Sequence, residues 1–152
     1  MRTINRFLVS LLVIPALAAW ALPAKQVKID VEPNSSSNSI TLPGGMGGGM
    51  GSTRLPVAVL STKSFDATMV KPSTARLSSG GMASSMPSGY NAPTSSVRDV
   101  NGDGHKDMVL TFNVSSLAKS GTLTPSTSQL CLNAKTDEGT AIHGCDSVNV
   151  MR

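Results

Sequence analysis

Residues 99–107 read Asp-Val-Asn-Gly-Asp-Gly-His-Lys-Asp. Side-chain oxygens recur on alternate residues, at Asp99, Asn101 and Asp103. Gly102 and Gly104 fall where the chain must turn through φ angles that a Cβ penalises. A short loop of oxygen ligands suits a hard cation, and a flexible oxygen shell of this size suits calcium. The expected ligands are the side chains of Asp99, Asn101 and Asp103, with the backbone carbonyl of His105 beside them. Asp107 closes the shell, directly or through a water. The imidazole of His105 stays outside the shell, and Val100 points away to anchor the loop. The alternative is an Asx- and Gly-rich turn that keeps its shape with no ion.

A second set of reactive residues lies near the C-terminus. Cys131 and Cys145 are the two cysteines of the chain. Pairing centred on Glu138, with Asp137-Glu138-Gly139 as a three-residue hairpin loop and Gly139 left-handed, sets them directly opposite. That register predicts a disulfide, worth about 3 kcal/mol for a loop of this size in the chain-entropy model. The other face, with Leu132, Ala134 and Ile142, turns to the core. The alternative is two separately buried thiols. His143-x-Cys145 invites a metal or nucleophile reading, but a disulfide consumes the thiol and no third ligand stands nearby in the sequence. His143 is therefore expected on the strand surface, facing Asn133. The pairs Met46/Met50 and Met82/Met86 are thioether donors that suit Cu(I); the plainer reading is low-complexity loop sequence.

The elements that must position these residues are short apolar runs bounded by Gly, Pro, Ser and Asn. Residues 27–31 alternate with period two and predict a half-buried strand. Residues 55–61 are the most continuously apolar and predict a central strand entered at Pro56. Further strands are expected near 39–42, 74–77, 97–100, 107–114, 129–135 and 142–150. No stretch beyond the N-terminus reads as an amphipathic helix. The Gly/Met-rich residues 44–52 and the Ser/Gly/Pro/Met-rich residues 80–96 are expected as mobile loops, with 34–39 a further polar bridge. The fold class is all-β: a single Ig-like two-sheet sandwich of about seven or eight short strands. A small barrel is the alternative. With few aromatic residues, the core must be made of Val, Leu and Ile.

The N-terminus reads as a signal peptide over 1–21. Arg2 and Arg6 precede an apolar run at 7–19, and Ala19-Trp20-Ala21 supplies the small-x-small pattern of a cleavage site. Cleavage is expected after Ala21, with Ala24 as the alternative. The run is short for an uncleaved membrane anchor, and no later segment is long and apolar enough to span a bilayer. Residues 22–152 are then one domain of about 130 residues, exported to the periplasm or beyond the cell. The formal charge of +4 includes Arg2 and Arg6, so the mature chain is nearer +2. Its cations are scattered and its one Tyr stands alone, which excludes a nucleic-acid surface.

The calcium-type loop resembles those of dockerins, integrin-type propeller repeats and thrombospondin type 3 repeats. It departs from an EF-hand, because Leu110 stands where a twelfth-position carboxylate is needed and a strand pattern follows. More widely, the chain resembles a β-module found repeatedly in exported bacterial proteins. The matching pieces are 27–31 with Pro33, then Asn38-Ser39-Ile40, 55–60, Phe65-Asp66-Ala67-Thr68, Pro72-Ser73-Thr74, 99–107 with its following strand, and Asp146-Ser147-Val148. The resemblance implies a calcium-bearing β-domain of secreted surface proteins and implies no particular activity. The expected role is non-catalytic: a calcium-stabilised envelope or extracellular domain that meets a surface protein or a polysaccharide. The alternative is a carbohydrate-binding module, whose aromatic platform would have to come from Tyr90, Phe65 or Phe112. An enzyme is not expected, since no serine sits in a strand-turn-helix context and the acids concentrate in the cation loop.

Overall fold

Short β-branched and apolar runs, each too small to bury its own face, pair here into two four-stranded sheets and a two-stranded ribbon. The structure is a computed structural model and describes residues 23–44, 53–80 and 92–151. The strands, in chain order, are β1 (Lys25–Gln26), β2 (Ile29–Val31), β3 (Ser39–Thr41), β4 (Arg54–Val59), β5 (Arg76–Ser78), β6 (Thr94–Arg98) and β7 (Asp107–Asn113). A short helix α1 (Val114–Lys119) precedes β8 (Gln129–Lys135), β9 (Ala141–Ser147) and β10 (Asn149–Met151). One sheet runs β1-β9-β8-β5 and the other β2-β4-β7-β6, while β10 and β3 pair in parallel at the side. The fold is an all-β sandwich.

The inner faces meet in one apolar cluster. Val31, Leu55, Val57, Val59, Leu110 and Phe112 come from one sheet; Leu77, Leu130, Leu132, Ala134 and Ile142 come from the other. Period-two alternation decides which residues turn inward. The core is mostly Val, Leu and Ile, as the composition requires.

The structure corrects several sequence expectations. The expected strand 27–31 is divided: Val27 N–H donates to the His143 carbonyl on one sheet, whereas the Lys28 carbonyl accepts from Leu60 N–H on the other. The chain therefore crosses between sheets at this step. The crossing passes over Gly144, where a Cβ would lie 2.5 Å from the Val27 carbonyl oxygen and 2.9 Å from Ile29 Cγ2. The expected strand 142–150 is likewise divided into β9 and β10, because Val148 N–H turns to the Ser128 carbonyl.

Pro56 is the third residue of β4 and not its entry. It is tolerated in a central strand because its carbonyl, and so its missing N–H, face Glu32, just past the last β2–β4 pair of Val31 with Val57. β6 starts at Thr94, inside the segment expected as a loop, since residues 94–98 pair along β7. Residues 114–119 form a helix that the sequence reading does not anticipate, capped by Asn113 Oδ1 accepting from Ser116 N–H at 2.9 Å. The signal segment 1–21, both Met pairs and Tyr90 lie outside the described residues. Among the described residues, no helix is long and apolar enough to cross a membrane.

Candidate functional site

The connection between β6 and β7 carries residues 99–106, and Arg98 pairs with Asp107 at its base. The loop is folded by its own acidic and amide side chains. Asp99 Oδ1 accepts from Gly102 N–H at 2.7 Å and its Oδ2 from Gly104 N–H at 2.9 Å. Asn101 Oδ1 accepts from Asp103 N–H, and Asp103 Oδ1 accepts from His105 N–H at 2.8 Å. Asp103 Oδ2 takes a further bond from Asn101 Nδ2. Gly102 and Gly104 have φ of 75° and 85°, as such a loop demands.

Every oxygen in this ladder accepts one hydrogen bond, and each has a second lone pair. Asp99, Asn101, Asp103 and His105 are all exposed. The His105 N–H and the Asn101 amide, with a smaller contribution from the charge on His105, hold the Asp103 carboxyl below the ordinary carboxylate value. The loop therefore presents ionised oxygens at neutral pH. The main chain of His105 enters the loop through its N–H, which donates to Asp103 Oδ1.

Asp107 departs from its expected place in a cation shell. It is fully buried, its Oδ1 accepts from Ser61 N–H at 2.8 Å, and its Oδ2 accepts from Val100 N–H at 2.9 Å. The carboxylates of Asp99, Asp103 and Asp107 do not converge within 4.8 Å of one another. Asp107 instead ties the foot of the loop to the end of β4. Ser61 extends this tie: its Oγ donates to the Lys106 carbonyl at 2.6 Å and accepts from Ala67 N–H at 2.8 Å. Val100 is half-buried, and its backbone N–H adds a tie to Asp107 Oδ2. Asp107, the third acid of the motif, acts as a structural acceptor.

The C-terminal hairpin matches its expected register. Cys131 pairs with Cys145 and Asn133 with His143. Gly139 has φ of 85°, and Thr136 N–H donates to the Thr140 carbonyl across the three-residue loop. Cys131 and Cys145 form a disulfide. His143 Nδ1 lies 2.9 Å from Asn133 Oδ1, and His143 Nε2 lies 3.3 Å from Cys145 Sγ. The same register brings the Cys131 sulfur alongside Cys145 and His143, but in the disulfide neither sulfur is a thiolate ligand.

The aromatic candidates for a sugar platform are placed otherwise. Phe112 is buried in the core, and Phe65 packs against the core with Lys25 Nζ 5.1 Å from its ring centre. In comparisons with known proteins, no family model, curated protein or solved structure matches this chain.

Proposed function

We propose that this protein is an exported, non-catalytic β-sandwich domain stabilised by one calcium ion in the loop at residues 99–105, acting in envelope or extracellular interaction or structure. The supporting observation is the loop itself: Asp99, Asn101 and Asp103 set their oxygens along one exposed turn that their own hydrogen bonds shape. Calcium would be held by these three side chains and the His105 carbonyl, with waters filling the remaining positions. The ion's contribution is charge neutralisation of the Asp99 and Asp103 carboxylates on a turn that joins β6 to β7. Its mechanism is linkage, because an ion bound only to the folded chain stabilises that form. Export accords with the N-terminal pattern and with the disulfide, which persists in oxidising compartments. The partner class is a surface protein or polysaccharide, in keeping with the resemblance to exported bacterial modules.

Calorimetric titration of the chelator-stripped mature chain tests this reading. One calcium should bind, with magnesium far weaker because it resists dehydration and demands strict octahedral geometry. Replacing Asp99 and Asp103 together by Asn should abolish the heat. Unchanged binding in that variant would refute the site, and no binding to the parent chain would refute the calcium reading.

A further inference from the structure

The outer face of the C-terminal hairpin carries a two-by-two array of chemically active side chains. On β8, Cys131 and Asn133 point the same way; on β9, Cys145 and His143 lie directly opposite them. The Sγ atoms of both cysteines and a ring nitrogen of His143 all lie within 4.8 Å of one another. Asn133 Oδ1 receives His143 Nδ1 at 2.9 Å, which places the ring proton on Nδ1 and leaves the Nε2 lone pair beside Cys145 Sγ. Asn133 Nδ2 is buried without a hydrogen-bond partner among the described residues. The amide thus orients the ring without satisfying its own donor. Within this array Cys131 is buried and Cys145 is exposed.

We propose that reduction of the Cys131–Cys145 disulfide converts this array into a binding site for a zinc-type divalent ion, ligated by both thiolates and by His143 Nε2. Tetrahedral zinc with these ligands needs donor atoms roughly 3.5–3.8 Å apart. The 3.3 Å between Cys145 Sγ and His143 Nε2 is already near that spacing. Rotation of the exposed Cys145 side chain separates the two sulfurs once the bond between them is broken. A ligating imidazole whose other nitrogen donates to an oxygen acceptor is the arrangement that fixes its tautomer and direction, and Asn133 supplies that acceptor. Three protein ligands leave a fourth position for water or a further group.

The gate is a two-electron step with a dithiol reductant. A reductant thiolate attacks the exposed Cys145 sulfur, the bond to Cys131 breaks, and Cys131 leaves as a thiolate that takes up a proton. The second reductant thiol then attacks as its thiolate, Cys145 leaves as a thiolate that takes up the released proton, and the reductant's own disulfide closes. Metal binding expels the proton from each protein thiol. The oxidised chain offers the ion one ring nitrogen and no thiolate. The proposal is independent of the calcium loop.

Cobalt(II), as a coloured substitute for zinc, tests the site on the mature chain reduced with a phosphine and desalted without oxygen. The reduced chain should show a thiolate-to-cobalt charge-transfer band that saturates at one equivalent and is displaced by zinc, and the oxidised chain should show none. His143→Ala and Asn133→Ala should each weaken binding by about tenfold or more, with the far-ultraviolet dichroism retained. The variant lacking the Asp99 and Asp103 carboxylates should keep the band. Absence of the band from the reduced chain, or affinity in the hairpin variants equal to that of the parent chain, would overturn the proposal. A reduced chain that loses its β-sheet dichroism would also overturn it, because the hairpin register is what assembles the ligands.

Discussion

Asp107 carries the same side chain as Asp99 and Asp103 but does a different job, and only burial tells them apart. Its two oxygens accept from Ser61 and Val100 N–H with no exposure to solvent. Replacing it by Asn leaves one of those donors facing an amide NH2. The expected cost of Asp107→Asn is about 2–3 kcal/mol in urea unfolding, and it should be the same in calcium and in chelator. A cost that vanished in chelator would return Asp107 to the cation shell. Asp30 is a separate case. Burial, with the Asp146 carboxylate adding to it, raises its pKa above the ordinary 3.8. The folded state thus holds this proton more tightly than the unfolded chain does. The stability this supplies is complete below pH 3.8 and is lost as pH rises through the raised folded value. Asp30→Asn should therefore gain stability at neutral pH and flatten that part of the stability profile. An unchanged profile would contradict the assignment.

The β8–β9 hairpin was legible in the sequence because its information is local. Two cysteines equidistant from Glu138, a glycine just past it and an alternating pattern specify register, face and disulfide together. Deleting that cross-link with Cys131→Ala and Cys145→Ala should cost about 3 kcal/mol, read as a lower urea midpoint. Retention of the parent midpoint would show that the Thr136–Thr140 turn and the ladder suffice without it. Elsewhere the information is not local. The alternation through 27–31 is the same whether those residues form one strand or cross between sheets, and only packing on β9 decides. Gly144→Ala tests that packing, since its Cβ would meet the Val27 carbonyl oxygen at 2.5 Å. It should cost about 1–3 kcal/mol, and a neutral result would mean that the crossing strand moves freely. The helix α1 is not legible in the sequence because six residues give too short a period to read; its cap, Asn113, shows only in the structure.

At the scale of the molecule, the all-β class followed from short apolar runs and frequent turn residues. How those runs divide between two sheets did not, because it depends on contacts such as Asp146 Oδ2 with Val31 N–H, 115 residues apart. The loop's residue types were readable at once, and its buried foot was not, because Ser61 and Asp107 are 46 residues apart. The central claim is that an ion at Asp99, Asn101 and Asp103 stabilises the whole sandwich. Its most direct test is the thermal midpoint of the mature chain as calcium is raised from chelator to ten times its dissociation constant. The account predicts a gain of about 1.4 kcal/mol, a rise of roughly 5 °C for a domain of this size, lost in the Asp99→Asn, Asp103→Asn variant. A midpoint that stays the same from full chelation to saturating calcium would contradict it.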